Sequence, residues 1–429
     1  LVCLVAALGL IAIRVPIGVA LATVSFLGFW ELRNFNVALA VTRDLPYTFA
    51  ANWNLSAIPM FLLMGSIVYR SGIASALFHA ARLWLSGLPG GLAVAANFAS
   101  AGFAAGCGSS VASSAAMGRL AIPEMTAAGY DKGLATGVVA SAGTIAALIP
   151  PSILMVLYGI FAEVSISDLL IAGVIPGVLT ALAYGGMIVI RCRLNPALAP
   201  ATALDVTDLR RARWRALGEI WPLGLLILGI IGGLYAGAVT PTEAGAAGAS
   251  IALLIAVLQG RMNLQKLWEA TREAMMTSAQ IFFVGIGALM FTRLLSFSGA
   301  SNMLAGLVAP LALDPVTVIL AMTLVYLVLG MFLDPIGILL ITIPVFLPLL
   351  AALDVDLVWF GVLVVKFIEI GMLTPPLGFN VFVVKGVVGN TVPLLTIFRG
   401  VGWFLVCDIV IVGLMIAFPG MVTFLPNLM

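Results

Sequence analysis

The chain is a succession of long apolar stretches separated by short charged islands. A membrane-spanning helix needs about 20 apolar residues, and such runs follow one another along nearly the whole sequence. The alternation of apolar and polar residues that is typical of transmembrane β-strands is absent. Helices satisfy their own backbone hydrogen bonds in lipid. We therefore predict an all-α polytopic membrane protein.

Composition supports this prediction and excludes several classes of protein. Of the 429 residues, 62% are hydrophobic and 9% are charged, whereas a soluble domain is about one quarter charged. A net charge of +2 gives no reason to expect a nucleic-acid partner. The four cysteines lie far apart without CxxC spacing, so neither a disulfide framework nor a cysteine metal site is expected.

The basic residues indicate which side of the membrane each loop occupies. The densest basic island runs from Arg191 to Arg215, and the positive-inside rule places it in the cytoplasm. Counting spans outward from this island places 16 of the 20 basic residues on the cytoplasmic side. The localisation expected from this map is the cytoplasmic (inner) membrane of a bacterium or archaeon.

A single offset of 225 residues joins landmarks in the two halves of the chain, which predicts an internal duplication. It relates Pro16 to Pro241, Pro123 to Pro348, Asp131 to Asp356, and the pair Pro150-Pro151 to Pro375-Pro376. The charge map places equivalent segments on opposite sides of the membrane. We therefore predict two inverted repeats, residues 1–200 with the cytoplasmic connection and residues 201–429, an architecture common among secondary transporters.

Each repeat contains an apolar segment that is interrupted near its middle. Residues 89–121 are broken by Gly-Cys-Gly-Ser-Ser at 106–110, and residues 314–350 are broken at 330–335. The arms are too short to cross comfortably, so each segment is predicted to be a re-entrant helical hairpin. We call 106–110 the first hairpin tip and 330–335 the second hairpin tip.

The helix after each hairpin, about 133–163 and about 357–388, is interrupted by a Pro-Pro pair. Proline removes a backbone donor and clashes with the carbonyl one turn back, so we predict two broken helices. The freed carbonyls need partners such as sodium ions, and the following half-helix presents a positive dipole end to an anion. The alternative is that each Pro-Pro pair only kinks a packed helix.

Several stretches resemble the large membrane subunit of TRAP (tripartite ATP-independent periplasmic) transporters, and the resemblance covers nearly the whole chain. The matching stretches are GSSVASSAAMGRLAIPEM (108–125), LATGVVASAGTIAALIPPSILMVLYG (134–159), IAGVIPG (171–177), TPTEAGAAGA (240–249) and FIEIGMLTPPLGFNVFV (367–383). The resemblance implies a sodium-driven elevator-type permease. It also implies two partners, a small four-helix membrane subunit and a periplasmic substrate-binding protein.

The resemblance further implies two sodium sites, mostly built from backbone carbonyls, with co-transported sodium ions and no organic cofactor. Sodium 1 is assigned to Ser109, Ser110, Ser113, Ala146, Ile149 and Pro151. Sodium 2 is assigned to Gly330, Asp334, Gly371, Thr374 and Leu377. The candidates for substrate contact are Gly108, Pro150, Pro335 and Pro376.

Three charged residues within apolar segments have alternative interpretations. Asp334 could bind sodium, or it could cap the half-helix that follows it. Lys366 and Glu369 lie three residues apart on the second broken helix, and a structural i,i+3 ion pair is favoured over a functional role.

The predicted function is sodium-coupled import of a small organic anion, a carboxylate, delivered by the periplasmic binding protein. A one-component sodium/dicarboxylate symporter of similar fold is the alternative. An intramembrane enzyme is disfavoured because the chain has one histidine and neither HExxH nor GxSxG. A channel is disfavoured by the paired broken helices, and no phosphate-binding loop indicates ATP use.

Overall fold

A computed structural model describes residues 2–200, 209–299 and 314–429, and regular secondary structure within these ranges is helical. The predicted boundary at residues 200 and 201 falls where the first described range stops, and residues 201–208 lie outside the described residues. Within the described ranges, six helices are long and apolar enough to cross a membrane, and the pair Phe35–Ala50 and Trp53–Arg70, bent by 57°, makes a seventh candidate. The prediction of an all-α polytopic membrane protein is confirmed.

The helices are numbered in chain order. The first five are α1 (Val2–Ala12), α2 (Ile17–Leu32), α3 (Phe35–Ala50), α4 (Ala57–Arg70) and α5 (Ile73–Leu85). The next six are α6 (Gly91–Cys107), α7 (Ser110–Ala127), α8 (Lys132–Thr144), α9 (Ile153–Ala162), α10 (Ile166–Ala172) and α11 (Val174–Leu194). Then come α12 (Leu209–Tyr235), α13 (Pro241–Leu258) and α14 (Leu264–Phe297). The last six are α15 (Pro315–Gly330), α16 (Pro335–Ala352), α17 (Leu357–Gly371), α18 (Phe379–Val388), α19 (Leu394–Ala417) and α20 (Gly420–Thr423).

Both predicted hairpins are helix pairs joined by short turns. In the first, Gly108 ends α6 with a φ of +61°, a conformation that glycine adopts without strain. Ser109 then caps α7 by accepting a hydrogen bond from the Ala112 amide at 3.4 Å. In the second, residues 331–334 join α15 to α16, and Pro335 occupies the first helical position of α16.

Both predicted broken helices are interrupted at their Pro-Pro pairs. The first ends as α8, passes through a 3₁₀ turn at Ile145–Ala147 and resumes as α9, which Ser152 caps. The second ends at Gly371 and resumes at Phe379. The peptide bond within each Pro-Pro pair is cis. Pro150 and Pro151 are buried, whereas Pro375 and Pro376 are exposed, so the two breaks have different surroundings.

The helix bounds follow the offset of 225 residues that the prolines show. Shifting α7 by this offset places it on α16, and the same shift places the start of α8 on the start of α17. Likewise, α2 falls on α13 to within about one residue at each end. This agreement supports the duplication, while the inverted orientation of the two repeats in the membrane stays a prediction.

Glycines allow helices of the two halves to pack closely. A Cβ on Gly137 of α8 would lie 2.5 Å from the Gly400 carbonyl carbon of α19, and a Cβ on Gly400 would overlap the Gly133 carbonyl oxygen. Similarly, a Cβ on Gly287 of α14 would lie 2.5 Å from the Gly18 carbonyl oxygen of α2. These contacts bring the backbones of paired helices together, as small residues do in membrane proteins.

Candidate functional site

The first hairpin tip touches the break of the first broken helix. A Cβ on Gly108 would overlap the Pro151 carbonyl oxygen, so the two backbones are in direct contact. Further along, a Cβ on Gly143 of α8 would lie 3.0 Å from the Ser110 carbonyl oxygen. The glycines at the tip and in the helix therefore bring polar backbone groups of both segments to one place.

The second hairpin tip also touches the second broken helix, at positions other than those of the first contact. A Cβ placed on Gly330 would lie 2.7 Å from the Gly371 Cα, and a Cβ on Gly371 would lie 2.7 Å from the Gly330 Cα. Both residues are buried, and each ends its helix. The end of α15 and the end of α17 are thus in backbone contact, which brings together two of the predicted sodium 2 residues.

A small cavity of about 50 Å³ lies between the two tips. Its wall combines the first tip, the first broken helix, the start of α16 and the second broken helix. The lining residues are Gly108, Ser109, Ser110, Val111, Ala147, Ile153, Leu154, Pro335, Ile336 and Glu369. Four predicted residues, Gly108, Ser109, Ser110 and Pro335, therefore share one cavity, whereas Pro150 and Pro376 are outside its lining.

Hydroxyl oxygens without partners occur on α7, which follows the first tip, and on α8, the first half of the broken helix. The hydroxyls of Ser113 and Ser114 on α7 and of Ser141 on α8 are buried without a hydrogen-bond partner. Buried polar groups are normally paired, so these orphaned hydroxyls have capacity for a further partner. Because sodium is a hard cation that prefers oxygen, the residues present fit a sodium ion.

The remaining predicted site residues lie at the breaks. Ala146 is fully buried in the 3₁₀ turn, and the Ile149 side chain faces Gly177 of α11. The Thr374 hydroxyl donates to the Ile370 carbonyl at 2.7 Å. The Leu377 side chain is exposed. The structure does not test whether these residues bind sodium, so their assignment stays a prediction.

Asp334 has the capping role that the sequence left open. Its Oδ2 accepts a hydrogen bond from the Gly337 amide at 3.0 Å, at the start of α16. A carboxylate at a helix N-terminus also interacts favourably with the helix dipole. A sodium ligand role for Asp334 stays a prediction beside this confirmed cap.

The predicted ion pair between Lys366 and Glu369 is wrong. Lys366 Nζ lies 2.6 Å from Asp408 Oδ1 of α19, and Tyr184 of α11 donates its hydroxyl to the same carboxylate at 2.7 Å. Glu369 Oε1 instead accepts a hydrogen bond from the Ser110 hydroxyl at 2.9 Å. The two charged residues of α17 therefore face different neighbours, because residues three apart on a helix can still point toward different helices.

Asp408 was missed at the sequence level although a signal was available. It is a single acidic residue in the apolar span Leu394–Ala417, and ionisable residues within spans are functional or paired by default. Glu369 carries the same signal, and its contact with the first hairpin tip makes it part of the candidate site.

A larger cavity of about 390 Å³ is lined by residues of the first hairpin, α4 and α14. Ser109 lines it at the tip, and Arg119 lines it further along α7. Arg119 donates to the Tyr69 hydroxyl at 3.4 Å and makes no ion pair within the part of the chain that the structure describes. On the opposite wall, Glu273 is held by Arg70 at 2.9 Å. Arg119 is therefore a cation facing a cavity that reaches the hairpin tip.

The chain is similar in sequence to several named transporter permeases. The chain is 34% identical over 378 residues to the C4-dicarboxylate TRAP transporter large permease protein DctM of Pseudomonas aeruginosa, covering 88% of this chain and 87% of that protein. It is 31% identical to the sialic acid TRAP transporter large permease protein SiaM of Vibrio cholerae, covering 98% and 97%. It is also 31% identical to the sialic acid TRAP transporter permease protein SiaT of Haemophilus influenzae, covering 97% of this chain and 66% of that protein.

A solved structure shows a similar fold. The Alcanivorax borkumensis YdaH transporter, which is described as having an unusual topology, superposes with a TM-score of 0.64. The match covers 91% of this chain and 90% of that one at 16% sequence identity, so it supports the fold alone.

The family model described as "Tripartite ATP-independent periplasmic transporter, DctM component" matches residues 4–421, nearly the whole chain. Its members are transporter permeases and not enzymes. The resemblance seen in the sequence motifs is thereby confirmed, and the chain belongs to the DctM family of TRAP transporter large permeases.

Proposed function

We propose that this permease imports a small organic anion into the cell by coupling its movement to sodium ions. The observation that carries the proposal is the contact of each hairpin tip with the break of the following helix, at Gly108 with Pro151 and at Gly330 with Gly371. Each contact brings backbone groups of a hairpin tip and of a broken helix together within the membrane, where ions are among the few partners available to unpaired backbone groups.

The substrate class follows from charge and from the relatives. The similar permeases are named for C4-dicarboxylates and sialic acid, which are organic acids. Arg119 adds a positive charge to the cavity between the first hairpin and α4. A carboxylate substrate matches this charge and the organic acids for which the relatives are named.

Movement of the substrate is proposed to follow an elevator mechanism. The two hairpins and the two broken helices would move together against a support that includes α2, α4, α13 and α14. The sodium gradient would supply the energy, because occupied sodium sites favour the assembly that also holds the substrate. The cytoplasmic membrane of a bacterium or archaeon is the proposed location.

Two partners are proposed, a small four-helix membrane subunit and a periplasmic binding protein that delivers the anion. The relatives' designation as "large permease" proteins of tripartite periplasmic transporters supports both. The test is uptake into proteoliposomes holding the chain and its membrane partner, with a substrate first identified by thermal-shift screening of the binding protein. We expect uptake only when the loaded binding protein is present. Equal uptake of free substrate would favour a one-component sodium/dicarboxylate symporter.

Thr374→Val should raise the sodium concentration needed for half-maximal uptake by about tenfold, the effect expected if one oxygen ligand worth about 1.4 kcal/mol is lost. Valine keeps the β-branched shape, and the Thr374 hydroxyl donates only a local bond, to Ile370. Uptake measured against sodium concentration checks this expectation.

Ser278→Ala is the matched control. The Ser278 hydroxyl also donates to the carbonyl four residues earlier, Ala274, at 2.7 Å, but Ser278 lies on α14 and lines neither of the two cavities that include the first hairpin tip. Its sodium dependence should stay at the wild-type value. An unchanged sodium dependence in Thr374→Val would show that this hydroxyl is not a ligand.

A further inference from the structure

The buried charges of the described residues do not balance. Lys366, Glu369 and Asp408 are each 1% exposed, and they are the charged side chains that are buried in this part of the chain. Lys366 is paired with Asp408 at 2.6 Å. The Glu369 carboxylate, when ionised, has no cationic partner among the described side chains, and a buried unpaired charge is costly in a protein interior.

The Glu369 carboxylate is also incompletely hydrogen-bonded. Oε1 accepts from the Ser110 hydroxyl at 2.9 Å, whereas Oε2 is buried and has no hydrogen-bond partner. A purely structural role, in which Glu369 only accepts the Ser110 hydrogen bond, would account for the burial of Oε1. It would not account for the burial of Oε2 without a partner. The orphaned oxygen therefore points to a partner beyond the protein's own side chains.

Space for such a partner lies beside the carboxylate. The cavity of about 50 Å³ between the two hairpin tips is lined by Glu369, Ser109 and Ser110. A cavity needs a volume of about 10–15 Å³ to hold one water molecule. The cavity of about 50 Å³ is therefore large enough for a sodium ion, which is no larger than a water molecule. The polar side chains of its lining, Ser109, Ser110 and Glu369, all carry oxygen atoms, which hard cations prefer.

We propose that the Glu369 carboxylate and the Ser110 hydroxyl bind a sodium ion in this cavity. The inference rests on the proposed sodium-coupled function and adds to it a charged ligand supplied by the second repeat to the tip of the first hairpin. Ser110 and Glu369 are 259 residues apart in the chain. A single ion would therefore connect the two repeats. The predicted sodium 1 and sodium 2 sites, each built from residues of one repeat, would not connect them.

The negative charge of Glu369 would couple sodium binding to the movement of the transporting assembly. Ionised Lys366, Asp408 and Glu369 carry one net negative charge together. A bound sodium ion brings the sum of the buried charges to zero. Moving an uncompensated charge through a low-dielectric membrane is unfavourable. Occupancy by sodium would thus favour movement of the loaded assembly and oppose movement of the sodium-free one.

The test measures the thermal unfolding of the purified permease with its membrane partner in detergent, in sodium chloride or in choline chloride at equal ionic strength. The wild-type unfolding temperature should rise with sodium. Glu369→Gln removes the buried charge, so in choline it should unfold at a higher temperature than the wild type. Its response to sodium should be smaller, with a midpoint at least about tenfold higher.

Three further variants make the result decisive. Ser110→Ala and Glu369→Asp keep the charge but alter the geometry, so each should shift the sodium midpoint upward and retain a response. Ser278→Ala should respond as the wild type does. An identical sodium midpoint in wild type and Glu369→Gln would overturn this site while leaving sodium coupling intact. If Glu369→Gln does not fold, unchanged midpoints in both Ser110→Ala and Glu369→Asp would overturn it.

A different outcome would contradict the proposed sodium-coupled function as a whole. Sodium-independent unfolding of the wild type, together with sodium-independent uptake, would contradict the sodium coupling itself and with it this site.

Discussion

Lys366→Met should destabilise the permease by about 3–5 kcal/mol, the loss typical of removing one partner from a buried ion pair. Lys366 is 1% exposed and contacts Asp408 at 2.6 Å, and Tyr184 and Thr180 of α11 complete the cluster. Without the ammonium group, two buried carboxylates, Asp408 and Glu369, share the interior. The midpoint of unfolding in denaturant, or the thermal unfolding temperature, measures the effect.

A second substitution distinguishes loss of the pair from loss of packing. Adding Asp408→Asn to Lys366→Met removes the stranded carboxylate, and asparagine can still accept the Tyr184 hydroxyl. The double variant should recover most of the stability that the single variant loses, as a double-mutant cycle would show. A double variant as unstable as the single one would mean that the Lys366 side chain acts through its packing.

Gly330→Ala should lower uptake at least about tenfold, because the added methyl group would lie 2.7 Å from the Gly371 Cα. Backbone atoms at Gly371 cannot move aside as a flexible side chain would, so the second hairpin tip must separate from the second broken helix. The contact that carries the proposed second sodium site would be lost. Initial rates of uptake in proteoliposomes measure the effect.

Gly386→Ala on α18 is the matched control, because a Cβ there meets nothing within 4 Å. It should transport at a rate close to that of the wild type. Normal uptake by Gly330→Ala would show that close contact between the tip and the break is not needed for transport.

Local chemistry explains why the hairpins and broken helices could be predicted from the sequence. The Gly-Ser interruption at 106–110 and the two Pro-Pro pairs each coincide with a break between helices, since proline lacks a donor and Gly108 adopts a positive φ. The structure accordingly ends α6 at Cys107 and begins α9 at Ile153, close to the predicted positions. Features of this kind depend on neighbouring residues alone.

The contacts between distant helices could not be predicted in the same way. Lys366 pairs with Asp408, and Ser110 with Glu369, across 42 and 259 residues. Such pairs depend on how each helix is rotated about its axis, and an almost uniformly apolar helix carries little pattern to fix that rotation. The i,i+3 rule therefore suggested an ion pair between Lys366 and Glu369 within α17. In the structure, Lys366 instead contacts residues of α11 and α19.

The surroundings of the two breaks also differ in a way that the repeat did not indicate. Pro151 is buried against the first hairpin tip, whereas Pro376 and Leu377 are exposed. Equivalent sequences in a duplicated chain share local conformation, but their burial depends on the neighbours that the rest of the fold supplies.

The most direct test of the account is uptake driven by a sodium gradient alone. Proteoliposomes would contain the permease and its membrane partner, with the loaded binding protein outside and no ATP. Substrate should accumulate when sodium is supplied outside, and accumulation should stop when a sodium ionophore collapses the gradient. Equal uptake with potassium in place of sodium would contradict the account.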